Sequence, residues 1–269
     1  MSLFDLVDNL LTDKNTIHSY LELYEKLLCT KKLTATAILE VGIGNFIEKN
    51  GGSIKMWYQY FPNATIFALD ILDLDRVIDE LKFNSRISLY TSTNAYDEEF
   101  FKTHFLDTGI KFDMLLDDGP HTLTSQQQFI TLYSQVMSDD GILMVEDVQS
   151  WDWIEHLIAV TPEHLKQYIQ VYDLRKNKNR YDDIVFVIDK YHVTLKSGIS
   201  TAYNVFDEVF INSDKSSALI SERVTPTLIS EKVTPKPRVY LEENNNLGLG
   251  NILFQIASAI YYCEKHHSS

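Results

Sequence analysis

The stretch Ile38-Leu39-Glu40-Val41-Gly42-Ile43-Gly44 decides the reading of the fold. A short run of aliphatic residues ends in two glycines spaced two apart. It reads as a strand entering a tight turn whose backbone can approach a ligand closely. Downstream the same rhythm repeats. Short apolar runs at 37–41, 65–70, 87–91, 112–116 and 141–145 alternate with amphipathic stretches near 53–60, 74–83, 97–105 and 124–137. Strand and helix in alternation predict βαβ units and a parallel sheet covered on both faces. Two further strand-like runs, 169–174 and 183–188, are joined by Arg175–Asp182. That link is too short for a crossover helix, so the last pair is expected to be an antiparallel hairpin, with the basic run Arg175–Arg180 as its tip.

Upstream, residues 5–30 carry apolar positions at helical spacing, including Leu6, Leu10, Ile17, Tyr20, Leu21, Tyr24, Leu27 and Leu28. Thr12-Asp13-Lys14-Asn15 should divide them into two helices, with Asp13 or Asn15 as a cap. The expected organisation is a helical leading segment over 1–36 and an α/β domain over 37–195. A linker follows over 196–237, where a nine-residue motif occurs twice (Leu219–Thr227 and Leu228–Lys236) among Pro226, Pro235 and Pro237. A separate segment over 238–269 ends the chain.

Composition bounds the function. The 269 residues carry 24 Lys plus Arg against 38 Asp plus Glu, a net charge of −14, so a phosphate backbone is a poor partner. Two cysteines, Cys29 and Cys263, make no disulfide framework. Neither a signal peptide nor a run of about 20 apolar residues is read in the chain, so no membrane partner is expected and the expected location is cytoplasmic.

After the glycines come Gly51-Gly52-Ser53 at a helix start, and the second strand closes on Asp70, where a carboxylate can accept from both hydroxyls of a ribose. Read singly, the glycines are turns and Asp70 a helix cap. In order, they point to a nucleoside-bearing cofactor. The acidic Glu40 inside the strand separates the pattern from the dinucleotide G-x-G-x-x-G fingerprint.

These residues carry a resemblance. Glu40-x-Gly42-x-Gly44, Gly51–Trp57, Tyr60-Phe61-Pro62-Asn63-Ala64, Asp70, Asp117-Asp118-Gly119-Pro120-His121 and Gly141–Asp147 together resemble the metal-dependent O-methyltransferases of macrolide and related antibiotic sugars. Thr12-Asp13-Lys14, His18-Ser19-Tyr20 and Tyr24 resemble the segment that precedes the family's domain. The likeness runs over about residues 12–190. It departs at Phe46–Asn50, which lengthens the first loop, and at Pro120, which stands where the family has serine and removes a backbone donor. The resemblance implies a Rossmann-like α/β fold and S-adenosyl-L-methionine as cofactor, excluding NAD. It places the cofactor along Gly42 and Gly44, with Glu40 in the motif, Asp70 on the ribose, Thr93-Asn94-Ala95 near the adenine and Ser53 at the carboxylate end.

Methyl transfer to oxygen needs an aligned acceptor and removal of its proton. Asp117-Asp118 and Glu146-Asp147 end two strands at the rim where open α/β sheets bind ligands. Four acids there would repel without a cation, and their hard oxygens suit Mg2+. The resemblance assigns Asp118, Glu146 and Asp147 as metal ligands and His121 as general base; Asp117 is read as structural or as an outer partner. Read alone, Asp117-Asp118-Gly119 is equally a capped turn and His121 a helix-start residue. Neighbours in an ideal strand face opposite ways, so the chain must leave the strand by Glu146.

The remaining residues are assigned less. His18 either closes over the cofactor or lies on a helix surface. Trp57, Trp151, Trp153 and His104 are expected to pack, and His266-His267 is assigned no metal. Asn246–Ala257 resembles the opening motif of α-1,2-fucosyltransferases, Gly-Leu-Gly-Asn-x-x-Phe-Gln, and hints at glycan synthesis or fusion to a glycosyltransferase in a longer chain. The reading is a metal-assisted sugar O-methyltransferase with a sugar or glycoside acceptor, possible also as a homo-oligomer. The alternatives are a methyltransferase of another small acceptor, a hydroxylase-like relative, and a non-catalytic cofactor-binding module.

Overall fold

A computed structural model of the chain describes residues 1–44 and 49–192. The linker expected at 196–237, the segment at 238–269 and most of the lengthened loop at 46–50 lie outside the described residues. Seven strands form one sheet: β1 (Ala37–Val41), β2 (Thr65–Leu69), β3 (Ile87–Tyr90), β4 (Phe112–Asp117), β5 (Met137–Val145), β6 (Ile169–Asp173) and β7 (Ile184–Asp189). Their spatial order is β3-β2-β1-β4-β5-β7-β6. The first five run parallel, and β7 is antiparallel to both neighbours. The expected α/β sheet with a terminal hairpin is what forms.

Alternation along the strands divides the core into two layers. Ile38, Ile66, Met114, Leu116, Met144 and Val187 pack on one face, against α1 (Leu3–Leu6), α2 (Tyr20–Leu28) and α3 (Gly52–Tyr60). Leu39, Val41, Leu115, Leu143, Val145 and Phe186 pack on the other, against Phe101, Phe105, Phe129 and Tyr133. These come from α5 (Glu98–Phe101), the π-turn that extends it over Lys102–Leu106, and α6 (Leu123–Tyr133). The short α4 (Asp79–Lys82) lies between β2 and β3, and α7 (Trp153–Val160) follows β5.

Three expectations are corrected. Residues 74–83 do not make one helix: a 3-10 turn at Leu74–Arg76 and α4 are parted by Val77, whose neighbours bond the backbone of Asn50. The link between β6 and β7 is not a bare hairpin tip; Arg175–Lys178 forms a helical turn, α8, which Asn179 ends in a left-handed conformation. At the N-terminus the two helices are α1 and α2, and residues 7–19 between them are largely turns. Neither Asp13 nor Asn15 caps α2; Ser19 holds that position. The apolar spacing at 10–17 does not become a helix because Leu10 and Ile17 face solvent, whereas Lys14 and His18 turn inward to acids.

Candidate active site

Strand register builds the site. Val41 pairs with Leu69 on one side and Asp117 on the other, and Asp117 pairs with Val145. The next residue of each strand therefore falls on one row at the carboxyl rim: Gly42, Asp70, Asp118 and Glu146. This is the edge where open α/β sheets receive ligands.

Gly42 makes the row possible. It has φ +100°, and a β-carbon there would stand 1.9 Å from the Asp118 carbonyl oxygen. The glycine turn and the acid turn are thus packed backbone to backbone. Asp70 ties the same turn down: Oδ2 accepts from the Ile43 and Gly44 amides at 2.6 and 3.3 Å, and Oδ1 accepts from Leu72 at 2.9 Å. Burial pushes the Asp70 carboxyl above its ordinary range, against those three amides. Asp70 is consequently a loop anchor, a role the sequence reading did not give it.

Glu40 faces the α3 side of the sheet. It is fully buried, accepts from the Trp57 indole, and lies beside the Ser53 hydroxyl. Burial raises its carboxyl to about 7, and the Lys14 ammonium 3.7 Å away opposes that. Its Oε1 has no hydrogen-bond partner. Ser53 is buried at the start of α3. Asn94 and Ala95 follow β3 on the other side of Asp70. The Asn94 side chain accepts from the Tyr96 amide, and the buried Ala95 accepts the Tyr133 hydroxyl on its carbonyl at 2.8 Å.

His121 and Asp147 both have left-handed backbones, φ +52° and +53°. Such a conformation is costly for a residue with a side chain and persists where surrounding structure enforces it, often at functional sites. At Asp147 it marks the exit from β5, as expected from the Glu146-Asp147 neighbour problem. The His121 Nε2 lies 3.4 Å from Asp147 Oδ2 and 3.7 Å from Asp118 Oδ1. One ligand atom from each of Asp118, His121 and Asp147 falls within 4.8 Å of the others. Gln126 of α6 braces the turn beneath by donating to the Glu146 and Asp147 carbonyls at 3.1 and 3.3 Å. Asp117, read from the sequence as structural or as an outer partner, is buried and accepts the Tyr96 hydroxyl at 2.6 Å, and burial lifts its carboxyl to about 7 against that bond.

Glu146 stands apart from that trio. It is buried with Oε1 against the Lys14 ammonium and Oε2 accepting from the Tyr24 hydroxyl. Lys14 is only 1% exposed and also donates to Asp118 Oδ2 at 2.7 Å. Burial alone would depress its ammonium; Asp118, Glu146 and Glu40 outweigh that and hold it well above its ordinary range. His18 is buried as well. Its Nδ1 lies 2.6 Å from Asp183 Oδ1 and 3.2 Å from Asp147 Oδ1, and Tyr20 donates its hydroxyl to Asp147. Burial opposes the imidazolium, but the Asp183 bond and the surrounding acids raise it to about 9. The surface alternative for His18 is therefore overturned. Two cations of the chain's own, Lys14 and His18, thus stand among these acids.

Of the aromatic residues, Trp57 packs in the core as expected, and Trp151 is partly exposed beside the Arg175 guanidinium. His104 stacks on Phe100 at 4.1 Å. Among the described residues no helix is long and apolar enough to cross a membrane.

No protein-family model matches the chain. Among curated proteins it is similar to the L-olivosyl-oleandolide 3-O-methyltransferase of Streptomyces antibioticus, 29% identical over 139 residues, which is 51% of this chain and 34% of that protein. It is 31% identical over 139 residues to the 8-demethyl-8-(2-methoxy-alpha-L-rhamnosyl)-tetracenomycin-C 3'-O-methyltransferase of Streptomyces olivaceus, 49% of this chain and 32% of that one. The mycinamicin VI 2''-O-methyltransferase of Micromonospora griseorubida is 29% identical over 140 residues, 51% and 33% of the two chains. The matched region thus spans about a third of the length of these relatives. Among solved structures, the MycE methyltransferase of the mycinamycin pathway, in complex with Mg, SAH and mycinamycin VI, superposes with a TM-score of 0.55 at 21% identity, over 70% of this chain and 54% of that chain. The sheet order, the antiparallel last hairpin and this superposition show that the chain has a Rossmann-like methyltransferase fold.

Proposed function

We propose that this chain is an S-adenosyl-L-methionine-dependent O-methyltransferase that acts on a hydroxyl of a sugar or glycoside with the help of a divalent cation such as Mg2+. The observation that carries the reading is the rim itself. A glycine turn anchored by Asp70 abuts, through Gly42, the turn that presents Asp118 and His121. A cofactor site and an acid–imidazole site are thereby contiguous. The names of the similar proteins, O-methyltransferases of an L-olivosyl-oleandolide, a rhamnosyl-tetracenomycin and mycinamicin VI, support the acceptor class.

The residues fit both groups. For the cofactor, the buried Glu40 Oε1, which makes no hydrogen bond and lies 3.7 Å from the Lys14 ammonium, offers an acceptor for an ammonium-type donor, with Ser53 beside it at the start of α3. Gly42, Gly44, Asn94 and Ala95 border the Asp70 turn and would lie along the nucleoside. For the cation, the rim offers the hard carboxylate oxygens of Asp118 and Asp147, within reach of a single ion. Asp118 and Asp147 would hold it, and Glu146 would join them on leaving Lys14. The sulfonium supplies an electrophilic methyl group, and the cation supplies a lowered hydroxyl pKa. His121, on the outer side of both aspartates, takes the hydroxyl proton at Nε2. Its strained backbone, fixed between Pro120 and the start of α6, keeps that nitrogen at the rim. Asp117 with Tyr96 holds the turn from behind.

Calorimetric titration of the full chain with S-adenosyl-L-methionine, with and without Mg2+, tests the reading. Saturable binding supports it. No binding under either condition removes the cofactor and leaves a fold without the activity.

A further inference from the structure

We infer that Lys14 is a resident cation of the acid site, one that competes with a divalent ion for Asp118 and Glu146. The inference rests on the metal-assisted reading above and adds a residue to it.

The geometry is specific. Lys14 belongs to the turn segment between α1 and α2, not to the sheet. Leu11, three residues earlier, lays its carbonyl so close to α3 that a β-carbon on Gly52 would meet it at 2.3 Å. The segment is thereby seated, and it delivers the Lys14 Nζ between three carboxylates: 2.7 Å from Asp118, in contact with Glu146 and 3.7 Å from Glu40. Each acid of the rim divides its oxygens. Asp118 gives Oδ2 to Lys14 and turns Oδ1 to His121; Asp147 gives Oδ1 to Tyr20 and His18 and turns Oδ2 to His121. Glu146 gives both oxygens inward, to Lys14 and Tyr24.

Two consequences follow from charge alone. Without an ion, the buried Glu40 and Glu146 and the partly exposed Asp118 converge on one point, and the ammonium offsets the repulsion between their carboxylates. With an ion, a monovalent and a divalent cation share Asp118 and repel each other over a few ångströms of low-dielectric interior. Lys14 therefore holds the carboxylates in place before metal arrives and weakens the metal's grip once it does. Glu146, engaged by Lys14, becomes available to the ion only when the ammonium withdraws.

The test compares the full-length wild type with Lys14→Met and Lys14→Arg. Thermal unfolding is followed in EDTA and in Mg2+, and Mg2+ affinity is measured by calorimetry. In EDTA, Lys14→Met should unfold at lower temperature than wild type, and Lys14→Arg should recover part of the loss. Mg2+ should raise the Lys14→Met midpoint more than that of wild type, with affinity tighter by about tenfold or more. A merely structural lysine would lower stability without tightening metal. Mg2+ binding to wild type with equal or weaker binding to Lys14→Met overturns the inference and leaves the metal-assisted reading standing. Mg2+ binding to neither protein overturns both. Should Lys14→Met fail to fold, the double variant Lys14→Met/Glu40→Gln removes one charge of each sign and leaves Asp118, Glu146 and Asp147 in place. Its folding, with Mg2+ binding no tighter than in wild type, would equally count against competition at Asp118.

Discussion

His121 Nε2 lies 3.4 Å from Asp147 Oδ2, and both residues sit in the left-handed region of backbone space. Two strained residues facing each other at one rim are a costly arrangement to keep for packing alone. Replacing His121 by Ala removes the proposed base and leaves the glycine turn intact. Turnover should fall by about 10²–10⁴-fold, the range usual for loss of a general base. Cofactor affinity, measured by calorimetry, should stay within a few fold of wild type. A His121→Ala enzyme of full activity would show that proximity alone drives the transfer.

Gly42 and Gly109 both have positive φ, +100° and +73°, but their surroundings differ. A β-carbon at Gly109 would meet nothing within 4 Å, so Gly109→Ala should cost only its conformational strain, on the order of 1 kcal/mol. At Gly42 the same change drives a methyl into the Asp118 carbonyl. Gly42→Ala should cost several kcal/mol, roughly the sum of strain and overpacking, and should also abolish cofactor binding. Denaturant unfolding of the two variants side by side checks this; equal stabilities would mean that the two turns are not packed as described.

Asp70 is an anchor and a candidate ribose contact at once. Asp70→Ala removes three amide bonds to a charged acceptor, bonds worth about 1.5–3 kcal/mol each before relaxation. Both the melting temperature and S-adenosyl-L-methionine affinity should fall. Asp70→Asn keeps one carbonyl oxygen and should recover part of the stability. Unchanged affinity in Asp70→Ala would remove Asp70 from the cofactor site, while a loss of stability would still report its hold on Ile43 and Gly44.

His18 gives the fold a pH dependence of definite sign. Its imidazolium, opposed by burial but favoured by Asp183 and Asp147, is raised from an ordinary 6.5 to about 9 in the folded chain. The stability it contributes is complete below about pH 6.5 and is lost as pH rises toward 9. His18→Gln should therefore flatten the decline of unfolding free energy between those values. An unchanged slope in the variant would assign the dependence to other groups.

The sheet was legible in the sequence because period and punctuation agree there: aliphatic runs ending in Gly42, Asp70, Asp118 and Glu146 are strands that stop at one rim. The Glu146-Asp147 pair even forecast a backbone break, which is found at Asp147. The leading segment was misread because helical spacing of Leu10 and Ile17 looked like an apolar stripe, yet both are exposed. What shapes 7–19 is long-range charge, Lys14 with Glu146 over 132 positions and His18 with Asp183 over 165, which no local pattern displays. The same blindness hid the chain's own cations from the argument that the acids need a metal. The one available signal was Lys14 and His18 at i and i+4, upstream of an acid-rich rim with few basic residues near it.

The proposed reaction moves a methyl group from a sulfonium to a sugar oxygen at this rim and requires a divalent cation. Its most direct measurement is label transfer from methyl-labelled S-adenosyl-L-methionine to a panel of glycosides and nucleotide sugars, run in Mg2+ and in EDTA. A labelled, base-stable methyl ether is expected on at least one sugar in Mg2+, with its loss in EDTA and recovery on adding Mg2+ back. Full transfer in EDTA, or label appearing on no sugar although the cofactor binds, would contradict it.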